Sequence, residues 1–179
     1  MLQLKVTESL YLKELEESHA EELFAAIDQS RDHLRKWLPW VDRTRTVADT
    51  LSFLKNMEDQ KHEHKGLAMG IFRKEQLVGS VDMHDWNHEL NKAALGYWLV
   101  ENCQQKGIMQ VCVRKFMNYL FDQLSLNKIE LQVVAENERS LKLAAGLGFK
   151  VEGVLRASYK MNGRLFDLVI TGMLSSERA

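Results

Sequence analysis

Apolar and polar residues alternate at the start of the chain, with Leu2, Leu4 and Val6 in phase and Leu10 and Leu12 in phase after a slip at Thr7-Glu8-Ser9. A period of two puts alternate side chains on one face, so this stretch predicts a strand. Ser18 stands where a helix N-cap is expected, ahead of Leu23, Phe24 and Ile27 on one helical face. A second helical piece is expected to end at Trp37-Leu38-Pro39-Trp40. Thr46 to about His64 reads as a further helix, with Val47, Leu51, Leu54 and Met57 at three- and four-residue spacing.

The period then changes. Leu67–Phe72 is a short apolar run, Lys74-Glu75-Gln76 is turn-like, and Leu77–Val81 is extended again, which together predict a hairpin. Ala93–Val100 is another strand. From Gly107 the helical period returns through Val113, Phe116, Met117, Leu120 and Leu124, and Ile129, Leu131 and Val133 alternate as a strand. Ser140–Leu147 predicts a short helix with Gly148 as its C-cap. Phe149–Val154 and Leu165–Met173 read as two last strands around a turn at Asn162-Gly163, a dipeptide that tolerates the positive φ of a tight hairpin. The order is strand, helices, three strands, helix, strand, helix, two strands. That order predicts a mixed α/β fold with a largely antiparallel sheet.

Composition narrows the function classes. A chain of 179 residues, 45% hydrophobic and 27% charged, fits one globular domain over residues 1–179 and excludes disorder or a disulfide scaffold. Lys+Arg number 24 and Asp+Glu 25, and the signs are interleaved, so no nucleic acid is expected as a direct partner. No apolar run is long enough to span a bilayer, and the N-terminus lacks a signal peptide's apolar block. The expectation is a soluble, cytoplasmic protein with no membrane partner. Cys103 and Cys112 fit no zinc spacing, and His62 and His64 lack a nearby third ligand, so no metal is expected.

The most informative segment is Tyr97-Trp98-Leu99-Val100-Glu101-Asn102-Cys103-Gln104-Gln105-Lys106-Gly107-Ile108-Met109. A strand runs into a polar turn and opens a helix at a glycine. The first N–H groups of such a helix lack partners and sit at the positive end of its dipole, a place that suits phosphate. Gly107 allows close backbone approach and Lys106 adds positive charge. An ordinary strand-to-helix loop has the same pattern. Neither a Walker loop nor a dinucleotide fingerprint is present.

Here the chain resembles the GNAT superfamily of acetyl-CoA-dependent N-acetyltransferases. Their pyrophosphate motif is Q/R-x-x-G-x-G/A, with Gln104 and Gly107 in place and Met109 where a small residue is usual. The segment is most similar to the RimJ/RimL branch of ribosomal-protein N-terminal acetyltransferases. Leu34–Trp40, Gly96–Leu99, Asn137–Ser140, Leu147–Phe149, Glu152–Arg156 and Asn162–Arg164 extend the resemblance along nearly the whole chain. It implies a GNAT fold: a central, mostly antiparallel mixed sheet of six to seven strands flanked by helices and splayed at its middle strands, with acetyl-CoA in the gap. By the same resemblance, Leu99 and Val100 pair with the pantetheine arm, and Gln104, Gln105, Lys106, Gly107, Ile108 and Met109 hold the pyrophosphate. Asn137 reaches the cofactor, Ser140 lies close to the sulfur, and Trp37, Trp40 and Trp98 line the acceptor side.

The implied reaction is direct attack of an amine on a thioester in a ternary complex. An α-amine has a pKa near ~8, so roughly a tenth is neutral at pH 7, whereas a lysine ε-amine near ~10.4 is far less available. Positioning and polarisation of the thioester carbonyl can then carry the reaction, with a water chain or weak base taking the proton. Ser140 is the candidate hydroxyl for the leaving thiolate and equally a helix N-cap. Tyr159 is the rival hydroxyl. It stands where the branch has a glutamate proposed as base, and Ala94 also replaces a frequent glutamate. Of Asp82, His84 and Asp85, His84 has the intrinsic pKa of a general base. Cys103 could be an activated thiol or a small packed residue. Arg35, Lys36, Arg43 and Arg45 either attract an acidic protein or form a solvated face. The expected acceptor is a protein N-terminus. The alternatives are a small amine (a polyamine, an amino acid or an antibiotic) and a non-catalytic acyl-CoA-binding module. Exposed aromatics suggest a homo-oligomer.

Overall fold

The computed structural model describes residues 2–178. One sheet of eight strands organises them, in the spatial order β1-β2-β3-β4-β5-β6-β8-β7. The strands are β1 Gln3–Lys5, β2 Leu10–Glu14, β3 Leu67–Arg73, β4 Gln76–Asn87, β5 Lys92–Leu99, β6 Lys128–Val134, β7 Lys150–Met161 and β8 Arg164–Leu174. The helices are α1 Ala20–Asp28, the single turn α2 Arg31–Leu34, α3 Val47–His62, α4 Ile108–Gln123 and α5 Glu138–Leu147. The expected class stands, with one strand more than the six to seven foreseen. The extra strand comes from the slip at Thr7-Glu8-Ser9, which is a hairpin turn: Val6 and Thr7 N–H both donate to the Leu10 carbonyl, and Leu4 faces Leu12.

Local chemistry explains the other boundaries. Thr46 caps α3, its hydroxyl accepting from Asp49 N–H while the Asp49 carboxylate accepts from Thr46 N–H at 2.8 Å. Ser18 does not cap α1 as expected. It lies inside a 3-10 turn, Glu17–His19, that the ring of His19 ties back to Glu16 N–H, so the α-helix starts two residues later. Asn162 and Gly163 take φ of 49° and 77°, and Gly148 ends α5 at φ 98°.

Helix α4 buries Val113, Phe116, Met117 and Leu120 against the sheet. Phe116 is fully buried, and its replacement by alanine would cost about 3–5 kcal/mol. Helix α5 packs on β6 beside α4, on the same face of the sheet. α1, α3 and the segment around Trp40 cover the opposite face at β3–β5, because Thr50 and Ala20 join the two helices and Trp40 stands edge-on to Trp98, 6.3 Å between centroids.

Among the described residues strands β5 and β6 form the one parallel pair, and it is short. Lys92 faces Lys128, Ala93 faces Ile129 and Ala94 faces Glu130, and there the pairing stops. Beyond it β5 continues against β4 as far as Leu99, and β6 continues against β8 as far as Val134. The two halves of the sheet therefore part between Leu95–Leu99 and Leu131–Val134. A lone parallel pair joined through a crossover helix can diverge in this way without stranding buried polar groups only if something else fills the gap.

Candidate active site

The gap is a cavity of about 1060 Å³. Its walls are Leu95–Leu99 of β5 and Leu131–Val134 of β6, its floor includes Leu143 of α5, and its two ends are the turn before α4 and the Trp37–Leu38 segment with Tyr159.

At one end the chain leaves β5, makes a 3-10 turn at Glu101–Cys103, and enters α4 through Gly107. Two residues here adopt the left-handed region, Gln105 at φ 58° and Gly107 at φ 73°. A glycine costs nothing there, and a Cβ on Gly107 would meet no atom within 4 Å. The first α4 hydrogen bond runs from Val111 N–H to the Gly107 carbonyl. Among the described residues, none of the six amides from Gln105 to Gln110 donates to a protein acceptor. Six successive free N–H groups on a left-handed turn, at the positive end of a 16-residue helix, form a concave anion site.

The Gln104 side chain braces this turn. Its Nε2 donates to the Leu99 carbonyl at 3.1 Å and faces the His33 ring nitrogen Nε2, while its Oε1 accepts from Arg139 Nη1 at 3.2 Å. Val100 N–H donates back across the sheet to Val78 at 2.8 Å. Backbone groups alternate sides along a strand, so Leu99 turns its own N–H and carbonyl to the opening; the carbonyl already accepts from Gln104, and the N–H is the group an extended ligand can pair with first. Val100 is committed to β4 through its N–H. Lys106 folds its ammonium onto the Asn102 carbonyl at 2.7 Å and does not line the cavity.

On the far wall Asn137 caps α5, its Oδ1 accepting from Ser140 N–H at 3.3 Å. The cap is therefore Asn137, and Ser140 is the residue whose amide is capped, which leaves its hydroxyl available. That hydroxyl meets the Tyr97 hydroxyl at 2.7 Å. Burial pushes the Tyr97 phenol above its ordinary pKa, so it stays a protonated donor. Sequence reasoning proposed Tyr159 as the alternative to Ser140 and passed over Tyr97. Tyr97 alternates with Trp98 along β5, and that alternation puts it on the α5 face, which is the signal that could have found it.

At the other end, Tyr159 lines the cavity and donates to the Trp37 carbonyl at 3.3 Å. Burial also raises its pKa. Trp37 and Trp98 line the cavity, while Trp40 does not and supports Trp98 from behind. His84 does not line it either. Its Nδ1 bonds the Asp82 carboxylate at 2.7 Å, which raises the imidazole pKa against the opposing effect of burial. Asp82 comes nearest to the opening, because a Cβ on Gly96 would lie 2.8 Å from its Oδ1. Ala94, where an acidic residue is frequent in the resembled branch, is buried beside Glu130. There burial works to raise the Glu130 pKa, but Lys92 and Lys128 outweigh it and hold the carboxyl below its ordinary range.

Cys103 is buried at the turn, and burial drives the Cys112 thiol up to about 12. Among the described residues no group of three His, Cys, Asp or Glu is placed to hold a metal, and no helix is long and apolar enough to cross a membrane.

Known proteins resemble this chain in sequence and fold. Residues 9–150 match the model of the acetyltransferase (GNAT) domain family. A Bacillus subtilis (strain 168) protein named "Putative ribosomal N-acetyltransferase YdaF" is 30% identical over 99% of this chain and 97% of its own length. A solved structure of the microcin C7 self immunity acetyltransferase MccE, in complex with acetyl-CoA and AMP, is 27% identical, covers 95% of this chain and 94% of its own, and superposes with a TM-score of 0.90. The RimL ribosomal L7/L12 alpha-N-protein acetyltransferase, solved with coenzyme A, shares the fold with a TM-score of 0.93 over 97% of this chain and 98% of its own at 20% identity.

Proposed function

We propose, from the premise that this chain belongs to the GNAT acetyltransferase family, that it transfers the acetyl group of acetyl-CoA to the α-amino group at a protein N-terminus, a ribosomal protein being the first candidate. The observation that carries the reading is the set of six free amides, Gln105 to Gln110, at the mouth of the gap between β5 and β6. A diphosphate needs many donors that carry no competing bonds, and a thioester arm needs a slot with exposed strand backbone. Both are present and continuous with each other.

In this reading the amides of Gln105–Gln110 take the diphosphate, with Gln104 bracing the turn and Asn137 at the opposite wall. The main chain of Leu99 pairs with the pantetheine arm. Acetyl-CoA supplies the activated acyl carbon and a leaving thiolate whose basicity resembles a cysteine's, near ~8.5. Ser140, held by Tyr97 through the 2.7 Å bond between the two hydroxyls, donates a hydrogen bond to that thiolate, and the proton shed by the attacking amine is the one the thiol finally carries. Trp37, Trp98 and Tyr159 orient the acceptor. His84, bonded to Asp82, receives the amine proton through water and the Asp82 carboxylate, which lies over Gly96. For an α-amine already roughly a tenth neutral at pH 7 this base need only be modest.

The acceptor end favours a protein terminus over a polyamine. Its lining of Trp37, Leu38, Trp98, Tyr159 and Leu168 is largely apolar, and Glu136, a carboxylate on the same cavity, is 3.5 Å from the Arg164 guanidinium, which competes with a polycation for it. The resemblance to YdaF and RimL points the same way, while MccE illustrates a family member whose name concerns an antibiotic. A thiol-release assay with acetyl-CoA and a panel of N-terminal peptides, polyamines, amino acids and amino-antibiotics tests the reading. Turnover on peptides with free α-amines supports it. Turnover confined to small amines would replace the acceptor, and cofactor binding without turnover on any amine would reduce the protein to an acyl-CoA-binding module.

The proposal extends to assembly. β7 is an outer strand of 12 residues, and Val151, Val154, Leu155 and Leu165 on it and its neighbour are 66, 52, 50 and 56% exposed. A second copy laid across a twofold axis would cover this self-complementary edge. Sedimentation of a Val154→Lys/Leu155→Lys variant as the same oligomer as wild type would remove the β7 edge from the interface.

A further inference from the structure

Gln104 connects three parts of the molecule, and one of its partners can be switched off by a proton. Its amide nitrogen has two hydrogens. One goes to the Leu99 carbonyl at 3.1 Å and the other points at His33 Nε2. An amide nitrogen offers no lone pair, so His33 Nε2 must be the acceptor. The bond therefore requires a neutral imidazole with its proton on Nδ1, the nitrogen that faces Glu101 Oε1 at 3.6 Å. The amide orientation is itself fixed, because the reversed one would set Gln104 oxygen against the Leu99 carbonyl and its nitrogen against the Arg139 guanidinium.

We propose that His33 is a positioning residue: as the neutral imidazole it locks Gln104, and through Gln104 the phosphate-gripping turn, so that the protein's affinity for the diphosphate falls when His33 takes up a proton. The inference rests on the reading of Gln105–Gln110 as the diphosphate site and adds a regulation to it. Protonated His33 would present an N–H to the Gln104 N–H. Two facing donors repel, Gln104 must rotate, and its bonds to Leu99 and Arg139 go with it. The turn between β5 and α4 then loses the side chain that joins it to both walls of the cavity.

The surroundings favour the neutral form at ordinary pH. The His33 side chain is 15% exposed. Burial lowers its pKa from 6.5, as do the charges of Lys36, three residues on, and Arg139 at the start of α5; Glu101 in the 3-10 turn opposes them, and so would a Gln104 oxygen turned to the ring, an orientation its bonds to Leu99 and Arg139 forbid. Gln104 is the remaining polar group against the ring. His33 also lies four residues before Trp37, whose carbonyl accepts from Tyr159, so the lock joins the acceptor end of the opening to its phosphate end.

Calorimetric titration of the full chain with dephospho-CoA tests this from about pH 8 to about pH 4.5, a range carried well below the ordinary histidine value of ~6.5 because burial lowers that of His33. That ligand keeps the diphosphate but lacks the 3′-phosphate, whose own second ionisation falls in the same range. Wild type should lose affinity roughly three- to tenfold toward acid, the worth of one net hydrogen bond. His33→Gln, whose side-chain oxygen can accept from Gln104 without titrating, should match wild type at high pH and stay flat. His33→Ala should be flat and weaker by the same factor throughout. Nitrogen-15 spectra of wild type should show His33 protonated on Nδ1 and bare on Nε2. A flat wild-type profile, an undiminished acid limb in His33→Gln, or the opposite tautomer would overturn the inference while leaving the phosphate site standing. Absence of any dephospho-CoA binding by wild type would overturn both.

Discussion

Along the opening, the proposed phosphate end would bind with main chain and the proposed acceptor end with side chains. The six free amides of Gln105–Gln110 belong to one continuous stretch and need only a turn with two left-handed residues and a helix behind it. Trp37, Trp98 and Tyr159 come from three segments, and two of them depend on a tertiary neighbour: Trp98 on Trp40, Tyr159 on the Trp37 carbonyl. Backbone donors are nearly indifferent to side-chain substitution, so the phosphate end can stay constant while the acceptor end changes substrate. The two histidines differ as well: desolvation lowers the pKa of His33 beside the turn, and the Asp82 bond raises that of His84 on β4, which does not line the cavity.

The sharpest way to break the comparison is a change that reaches the backbone. Gly107→Glu forces a β-carbon into φ 73° and puts bulk and negative charge into the open space beside the amides. Calorimetry should show acetyl-CoA affinity reduced by more than about 100-fold, strain and charge together exceeding ~2.7 kcal/mol. Gly107→Ala, which carries the strain alone, should lose about tenfold. Equal affinity in Gly107→Glu and wild type would dismantle the phosphate end.

Ser140→Ala should lower kcat by about 10- to 100-fold with acetyl-CoA affinity nearly unchanged, because the lost hydrogen-bond donor acts on the leaving group. Tyr97→Phe should show a smaller loss of the same kind, since it removes the residue that holds Ser140. Full activity in both would remove this pair from the mechanism.

The base near the acceptor end is read from pH. His84 has its pKa raised above 6.5, so it is protonated and idle at acid pH, and kcat should rise as pH climbs through that range. His84→Ala should flatten this limb and cost about tenfold at the plateau. The stability sign is separate: a raised folded pKa contributes stability that is fully present below 6.5 and lost as pH rises through the folded value. His84→Ala should therefore lower Tm more at mildly acid than at alkaline pH, and an equal drop at both would contradict the Asp82–His84 assignment. Smallest of all, Trp37→Ala should raise the acceptor KM about three- to tenfold and leave acetyl-CoA binding as it was, since the Tyr159 bond uses the Trp37 main chain.

The same division decided what could be read from the sequence. The turn at Gln104–Met109 was legible because strand, polar turn, glycine and helical period follow one another along the chain. The sheet class, the α4 core face and the turn at Asn162-Gly163 were legible for the same local reason. The β1–β2 hairpin was hidden because Thr7-Glu8-Ser9 carries no glycine or proline to mark a reversal. The Ser18 cap failed because the His19 ring at Glu16 outcompeted it. The Tyr97–Ser140 and His33–Gln104 contacts span 43 and 71 residues, and no period along the chain encodes a meeting at that range. Asn137 rather than Ser140 as the α5 cap was a choice between two good capping residues three positions apart, decided by where β6 ends.

A crystal structure of the protein with acetyl-CoA tests the central claim most directly. Both phosphates of the diphosphate are expected within hydrogen-bond distance of amides between Gln105 and Gln110, with the pantetheine arm on the Leu99 main chain and the acetyl group between β5 and β6 near Ser140. A diphosphate bound elsewhere, with those six amides turned to water and the strands closed on each other, would contradict it.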